Sequence, residues 1–398
     1  MKVIFENSTG WILKSSRKIA QCMFLLTAVL ILSNLTAVSE AVIAPASYVI
    51  YKSGSTIYAQ NGQTGSNDYS GADAASVIQD AIDALASGGR ICIKDSMTIS
   101  SSITIAASNI ALEGLPGVRL TYTGNDYAIV VGLTGTAVVG VVVKDLDIYG
   151  DTNALGGLRV LRPVYKSHFE RLCIHHFKNA SAWGINVGDG TAYTSINLFI
   201  DIFVYDNTNG LRLQTECNHN VFHAFDVSNN TSVNIKIDKD AKDNIFIAPN
   251  IATAATGVQD AGMRSTFESP YMEALTTGFS FGENTDKAYN PRVFNPIFTS
   301  VTTKYSFSVG VQYIPLLFEK GHYYLKDSVS ITESATTYQV TFPTNADMLG
   351  SDYYMVCVEP SWNTSTWISS KNSTAFTVSF GTAAPAGAKL RYEVKPLW

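Results

Sequence analysis

The sequence predicts an all-β chain, a right-handed parallel β-helix solenoid with a short N-terminal capping helix and a C-terminal β-sandwich. Composition, internal repetition and a late change of pattern carry that expectation. Of the 398 residues, 46% are hydrophobic and only 15% charged, with Gly and Tyr plentiful. Long amphipathic charged helices are not found, which is an all-β balance. A formal net charge of -5 offers no general attraction for phosphate backbones, and no basic run follows the first 20 residues, so nucleic acid is not an expected partner.

Lys14, Arg17 and Lys18 precede an apolar run from Ile19 to Leu32, and Ser39 and Ala41 supply small residues for cleavage. Residues 1–41 thus read as an export signal. Continued to Val38, the run reaches about 20 residues, so an uncleaved membrane anchor is the other reading. Either way the remainder is expected to be secreted or at the cell surface, with membrane a partner only if this segment stays. Residues 42–71 read as a lead-in or linker, rich in Gly, Asn and Ser from Asn61 onward. From Ala74 to Ala86, Val77, Ile78, Ala81, Ile82 and Leu85 fall at helical spacing, Asp73 can cap the start, and Gly88-Gly89 ends it. The period then changes to two, with short segments at Ile91 to Ile93, Ile103 to Ile105, Ile110 to Leu112 and Val118 to Leu120.

Four later segments are alike: Gly157 to Val160, Gly184 to Val187, Gly210 to Leu213 and Asn234 to Ile237, offset by 27, 26 and 24 residues. A second register, Asn197-Leu198-Phe199, Asn220-Val221-Phe222 and Asn244-Ile245-Phe246, repeats at 23 and 24. Two registers repeating together mark coils of a solenoid. One coil cannot bury its own apolar face, so coils stack with strands about 4.8 Å apart, and Asn at turns can form side-chain ladders. The repeat fades after Gly257, although Phe279 to Phe281 and Val293 to Phe298 still read as coil strands. The solenoid is expected over 72–320 and the sandwich over 321–398, where alternating strands are broken by Pro, Gly and Asn turns.

The stretch from Ala72 to Gly114, "ADAASVIQDAIDALASGGRICIKDSMTISSSITIAASNIALEG", resembles the start of the pectate lyase-like β-helix superfamily. There a capping helix and a Gly-Gly turn lead to an "sNI.L.G" strand. The chain departs from it at Lys94 to Met97, where that superfamily has a Pro-Gly-x-Tyr turn. The final module resembles small β-sandwiches of phage tail and surface proteins, which implies binding, capping or trimerisation.

Strand alternation aligns outward residues of successive coils. One column reads Arg159, Asn186, Arg212 and Lys236, and stacked cations suit a polyanion such as a uronate-containing sugar. The alternative is a solvated face. A second column reads Asp147, Cys173, Phe203, Asp226 and Asn250, flanked by Asp145, Arg171 and Asp201 on one side and by Tyr149, His175 and Tyr205 on the other. Carboxylates beside aromatic rings suit sugars, and glycoside hydrolysis needs two carboxyl groups at a set separation. Asp147 and Asp201, two coils apart at roughly 9.6 Å, or Asp226, are the candidate catalytic acids; ordinary solvated turns are the alternative. The motifs of the β-helix polygalacturonases are absent, and a lyase of this fold would need a base such as Arg171 or Arg212.

No metal ligand set is expected. Cys92, Cys173, Cys217 and Cys357 lie in separate segments without metal spacing, and His175-His176 on one strand would point to opposite faces. Ca²⁺ is a possible cofactor at Asp145, Asp147 and Asp151 or at Asp238, Asp240 and Asp243. In the last module Trp362, after Pro360 in a loop, is the sugar-stacking candidate, with Trp367 on a strand. The expected function is polysaccharide or cell-surface glycan binding, with or without cleavage as a glycoside hydrolase or uronate lyase. The rival is a non-enzymatic adhesin or virion spike, a homotrimer along the helix axis.

Overall fold

The computed structural model describes residues 46–396, apart from 134, 162, 192, 283–287, 289–290, 308–315, 320–321, 324, 342–353 and 372–374. The expected export segment, 1–41, lies outside the described residues. Among the described residues no helix is long and apolar enough to cross a membrane.

The stretch read as a lead-in is ordered sheet from Tyr48 onward. Tyr48–Ser53, Thr56–Asn61 and Asn67–Gly71 form an antiparallel meander, and Tyr48–Ser53 also pairs in parallel with Gly89–Ile93. Its turn-forming composition had hidden short strands: Ile50, Ile57 and Ala59 alternate into the core. The helix spans Ala74–Asp83, capped by the Asp73 carboxylate, which accepts from the Ala75 amide. It seats Ala74, Val77, Ile78, Ala81 and Ile82 in the interior, covering apolar edges that would otherwise meet water.

From Gly89 the chain winds as a right-handed parallel β-helix. The first face stacks Gly89–Ile93, Ile110–Gly114 and the leading halves of Val142–Tyr149, His168–His175, Leu198–Tyr205 and Val221–Ser228. The trailing halves of those long strands form the second face, continued by the starts of Asn250–Asp260 and Tyr271–Phe281. The third stacks Tyr127–Val131, Gly156–Val160, Trp183–Val187, Asn209–Leu213 and Val233–Ile237. Parallel pairing continues past the faded repeat to Thr303–Phe307 and Leu316–Glu319. The bend between first and second faces falls on left-handed residues, among them Asp145, Arg171, Asp201 and Ala224.

Inside, Phe169, Phe199, Phe222, Phe246 and Phe267 stack ring on ring at 4.5–4.7 Å, because in-register coils repeat at about the same spacing. Beside them runs a ladder of buried amides, Asn197, Asn220 and Asn244, each side chain accepting from the coil before it. C-terminally, the sheets Leu325–Ser330/Lys389–Pro396/Tyr354–Pro360 and Thr337–Thr341/Ala375–Phe380/Thr366–Lys371 have a core of their own around Phe376, Val378 and Leu390.

One interior column breaks the apolar rule. It runs Val131, Val160, Val187, Leu213, Ile237, Asp260, Phe281. Asp260 is fully buried. One carboxyl oxygen accepts from the Gly262 amide at 2.8 Å and the Ser265 hydroxyl at 3.2 Å, while the other has no partner among the described residues. Burial pushes this carboxyl up to about 6. The folded state therefore binds its proton more tightly than the unfolded chain, so the stabilisation is complete below about pH 4 and is lost as pH rises to about 6. Stability is expected to fall by roughly 3 kcal/mol over that interval through this group. Urea midpoints of the native protein and Asp260→Asn between pH 4 and 7.5 check it: the gap in the variant's favour should widen with pH, and parallel curves would refute it.

Candidate functional site

The second face carries the densest cluster of reactive side chains. Asp147, Cys173, Phe203, Asp226 and Asn250 occupy one register position on successive coils, the column that alternation predicts. Asp147 accepts from Arg119 Nε at 2.8 Å and lies 2.8 Å from His175 Nε2. Burial opposes its charge, yet the hydrogen bonds from His175 and Arg119 outweigh it and hold this carboxyl below the ordinary carboxylate range. Asp147 is thus an ionised group, suited to accept a proton or a cation and unsuited to donate a proton.

His175 projects outward but is only 3% exposed. Tyr149 meets it edge-on at 5.2 Å and Tyr205 stacks on it at 4.7 Å, so neighbouring coils seal an outward residue. The strand ends at His175, and His176 takes a left-handed φ of 66°, which turns its ring back to the same side. The two Nδ1 atoms are 2.7 Å apart, contrary to the opposite-face expectation. His176 Nε2 lies 3.0 Å from Asp206, itself paired with Lys178. An unbroken chain results, Arg119, Asp147, His175, His176, Asp206, Lys178. Burial, with repulsion from neighbouring positive groups, lowers the proton affinity of His176. Burial and then the Asp147 charge raise the Cys173 thiol, and burial, with Cys173 beside it, pushes the Tyr205 hydroxyl up to about 12. Arg119, Asp206 and a role for Cys173 escaped the sequence reading, and His176 entered it only as half of a pair expected to point to opposite faces.

The candidate acids do not all converge. Asp201 sits at the left-handed bend and is exposed. It stands two coils and two residues from Asp147, about 11–12 Å between Cα atoms. Asp226 is one coil and two residues from Asp201, about 8 Å, and accepts from Asn250 at 2.6 Å and Ser228 at 3.0 Å. The open depression beside Asp147 is walled by Arg119, Lys52, Ser96, Met97 and Thr98 and opens toward the preceding coils, away from Asp201 and Asp226. Phe203, 47% exposed, stands in register with Asp226.

On the third face Arg159, Asn186, Arg212 and Lys236 share one register position. Arg212 and Lys236 both reach Asp238. Arg159 lies over the Tyr127 ring at 5.4 Å, and its buried Nε has no hydrogen-bond partner among the described residues. Arg212 lies over Trp183 at 5.8 Å. Both arginines weighed as a lyase base are paired with a carboxylate, Arg212 with Asp238 and Arg171 with Asp145. Arg171 grips Asp145 through two nitrogens at 2.6 and 2.8 Å, which raises its proton affinity further. The carboxylates weighed for Ca²⁺ also face other partners: Asp145 takes Arg171, Asp151 takes the Asn153 and Ala154 amides, and Asp243 takes Arg264.

In the sandwich the two tryptophans exchange their expected places. Trp362 packs against Phe380 at 4.8 Å with its Nε1 buried. Trp367, on the strand Thr366–Lys371, is 52% exposed because alternation turns Ile368 inward instead.

No protein-family model and no curated protein sequence matches the chain. Among solved structures, the ORF18 protein of Geobacillus virus E2 is similar, with 12% identity and a TM-score of 0.52 over 87% of this chain and 85% of that one. The enzymatically active domain of tailspike protein 2 of bacteriophage CBA120 is 11% identical, with a TM-score of 0.44 over 84% of this chain and 69% of that one. At such identities the likeness is one of fold. The chain therefore has a parallel β-helix architecture closed by a small β-sandwich.

Proposed function

We propose that this chain is a polysaccharide-binding β-helix protein whose second face receives the glycan. The observation that carries this reading is Phe203, an exposed ring in register with Asp226, with Asp201 two residues before it and the half-buried Tyr205 two residues after. A flat apolar face between carboxylates matches a pyranose ring and its hydroxyls. The Asp201 and Asp226 backbones, about 8 Å apart, leave their carboxyl groups able to reach an inverting separation, while Asp147 is taken up by Arg119 and His175. The third-face cations supply a second surface for acidic sugars.

A specific feature favours the rival, a trimeric stalk. Val139, Tyr193 and Ile196, 37–57% exposed, gather near the short strands Val138–Val139, Val164–Tyr165 and Thr194–Ser195. An apolar edge of that kind suits assembly.

A panel of neutral and acidic polysaccharides, read for binding, reducing ends and unsaturated product, separates the two. Phe203→Ala is expected to weaken binding about tenfold, a loss of about 1.4 kcal/mol. Asp201→Asn or Asp226→Asn should abolish reducing-end formation and leave binding in place. No binding across the panel, together with a trimeric mass in solution, would replace the glycan reading by the stalk.

A further inference from the structure

We propose that Asp147, Cys173 and His175 form a mononuclear site for a thiophilic divalent transition metal of the zinc class. This does not rest on the glycan reading. A carboxylate oxygen of Asp147, the Cys173 sulfur and a ring nitrogen of His175 lie within 4.8 Å of one another. The fold brings them together for a simple reason. Asp147 and Cys173 hold one register position on adjacent coils, and His175, two residues further along the same strand, leaves the sheet on the same side as Cys173.

One carboxylate, one thiolate and one imidazole suit zinc and exclude hard oxygen-seeking cations such as Ca²⁺ and Mg²⁺. Three protein ligands leave a fourth, outer position, where Asp147 and Cys173 are only partly covered. The two anionic ligands neutralise the ion. Arg119 occupies Asp147 Oδ2 and leaves Oδ1 free to ligate, fixing the carboxylate as outer partners do in metal sites.

The hydrogen-bond chain behind His175 gives an independent argument. Asp206 is an acceptor, so His176 Nε2, 3.0 Å away, carries the hydrogen. In the neutral ring, His176 Nδ1 is then an acceptor, and His175 Nδ1, 2.7 Å from it, is the donor. With both rings neutral, that tautomer turns the His175 Nε2 lone pair toward Asp147 Oδ1, 2.8 Å away, the arrangement a bound metal would require. Two acceptors cannot face each other at that distance without a positive charge between them. Opening that gap by about half an ångström admits a metal at ordinary Zn–N and Zn–O lengths. The rings of Tyr149 and Tyr205 hold the imidazole in that orientation.

The test is titration of the full chain, freed of metal by chelation, with Co²⁺ and then Zn²⁺. One equivalent of Co²⁺ is expected to produce a sulfur-to-cobalt charge-transfer band with four-coordinate ligand-field bands, both bleached by Zn²⁺. Cys173→Ser should abolish the charge-transfer band, whereas Cys92→Ser should retain it. His176→Ala, which removes the hydrogen bond to His175 together with the contacts of His176 with Asp206 and Tyr149, should weaken Co²⁺ binding 10–100-fold without changing the shape of the band. Absence of the band in the native chain, or its persistence in Cys173→Ser, overturns the proposal; glycan binding, read separately, is indifferent to either result.

Discussion

Phe222→Ala is expected to cost about 4–5 kcal/mol of folding free energy. The ring is fully buried, stacked between Phe199 at 4.5 Å and Phe246 at 4.6 Å, and met edge-on by Phe225 at 5.3 Å. Truncating a buried Phe costs about 3–5 kcal/mol through lost transfer and the cavity left behind, and the loss of three ring contacts places this site at the upper end of that range. Relaxation is restricted on both sides, because Phe199 and Phe246 are fixed by the parallel hydrogen bonds of their own coils. Urea denaturation followed by far-ultraviolet circular dichroism measures the loss. Since each coil contacts only its neighbours, the same change is expected to broaden the transition as the two halves of the solenoid uncouple. A loss below about 2 kcal/mol with an unchanged slope would mean that adjoining coils close over the space, and the ladder would then be a consequence of register and not a source of stability.

Much of this stack was legible beforehand. Asn-x-Phe recurs at 23 and 24 residues because a coil of constant length returns the same side chain to the same place. The extension of the ladder at either end was not legible, because Ser167 and Ser265 replace Asn there. Ser167 still donates its amide to Asn197, and Ser265 precedes Thr266, which pairs with Ile245. The outward columns were also readable from alternation alone, down to Asp147 beside Cys173 and Arg159 beside Asn186. What alternation could not supply is what happens where it stops. The left-handed turn at His176 reverses a side chain that period-two reasoning sends the other way. Nor does local sequence show that Tyr149 and Tyr205, 26 or more residues from His176 on other coils, bury His175. The exchange of roles between Trp362 and Trp367 has a similar cause: a loop residue folds back onto Phe380 while a strand residue faces out. Site chemistry in a solenoid is decided by neighbours one coil away, and a turn residue that changes sides alters it without disturbing the repeat.

Asn220→Ala is expected to cost about 4 kcal/mol although it removes only a small polar side chain. Asn220 is fully buried. Its Oδ1 accepts from both the backbone amide and the side-chain nitrogen of Asn197, each at 3.1 Å. Its Nδ2 donates to the Thr194 carbonyl at 3.2 Å and to Asn244 Oδ1 at 3.0 Å. Alanine therefore leaves the Asn197 amide and the Thr194 carbonyl without these partners inside the solenoid. An unsatisfied buried group costs about 1–3 kcal/mol, and the low dielectric that strengthens the intact ladder is what makes its broken ends expensive. Asn244 is spared, since its Oδ1 keeps the Asn220 backbone amide at 3.1 Å. Asn220→Leu separates the possible causes. If the loss comes from an empty space, leucine should restore most of it. If it comes from orphaned hydrogen-bonding groups, as the geometry requires, leucine should be no better than alanine. Hydrogen exchange then locates the damage: the Asn197 amide, held only by Asn220 Oδ1, should lose protection by more than the amides of Gly89–Ile93 several coils away. Equal loss at both places would mean that the whole solenoid unfolds as one unit and that the ladder couples coils over its full length.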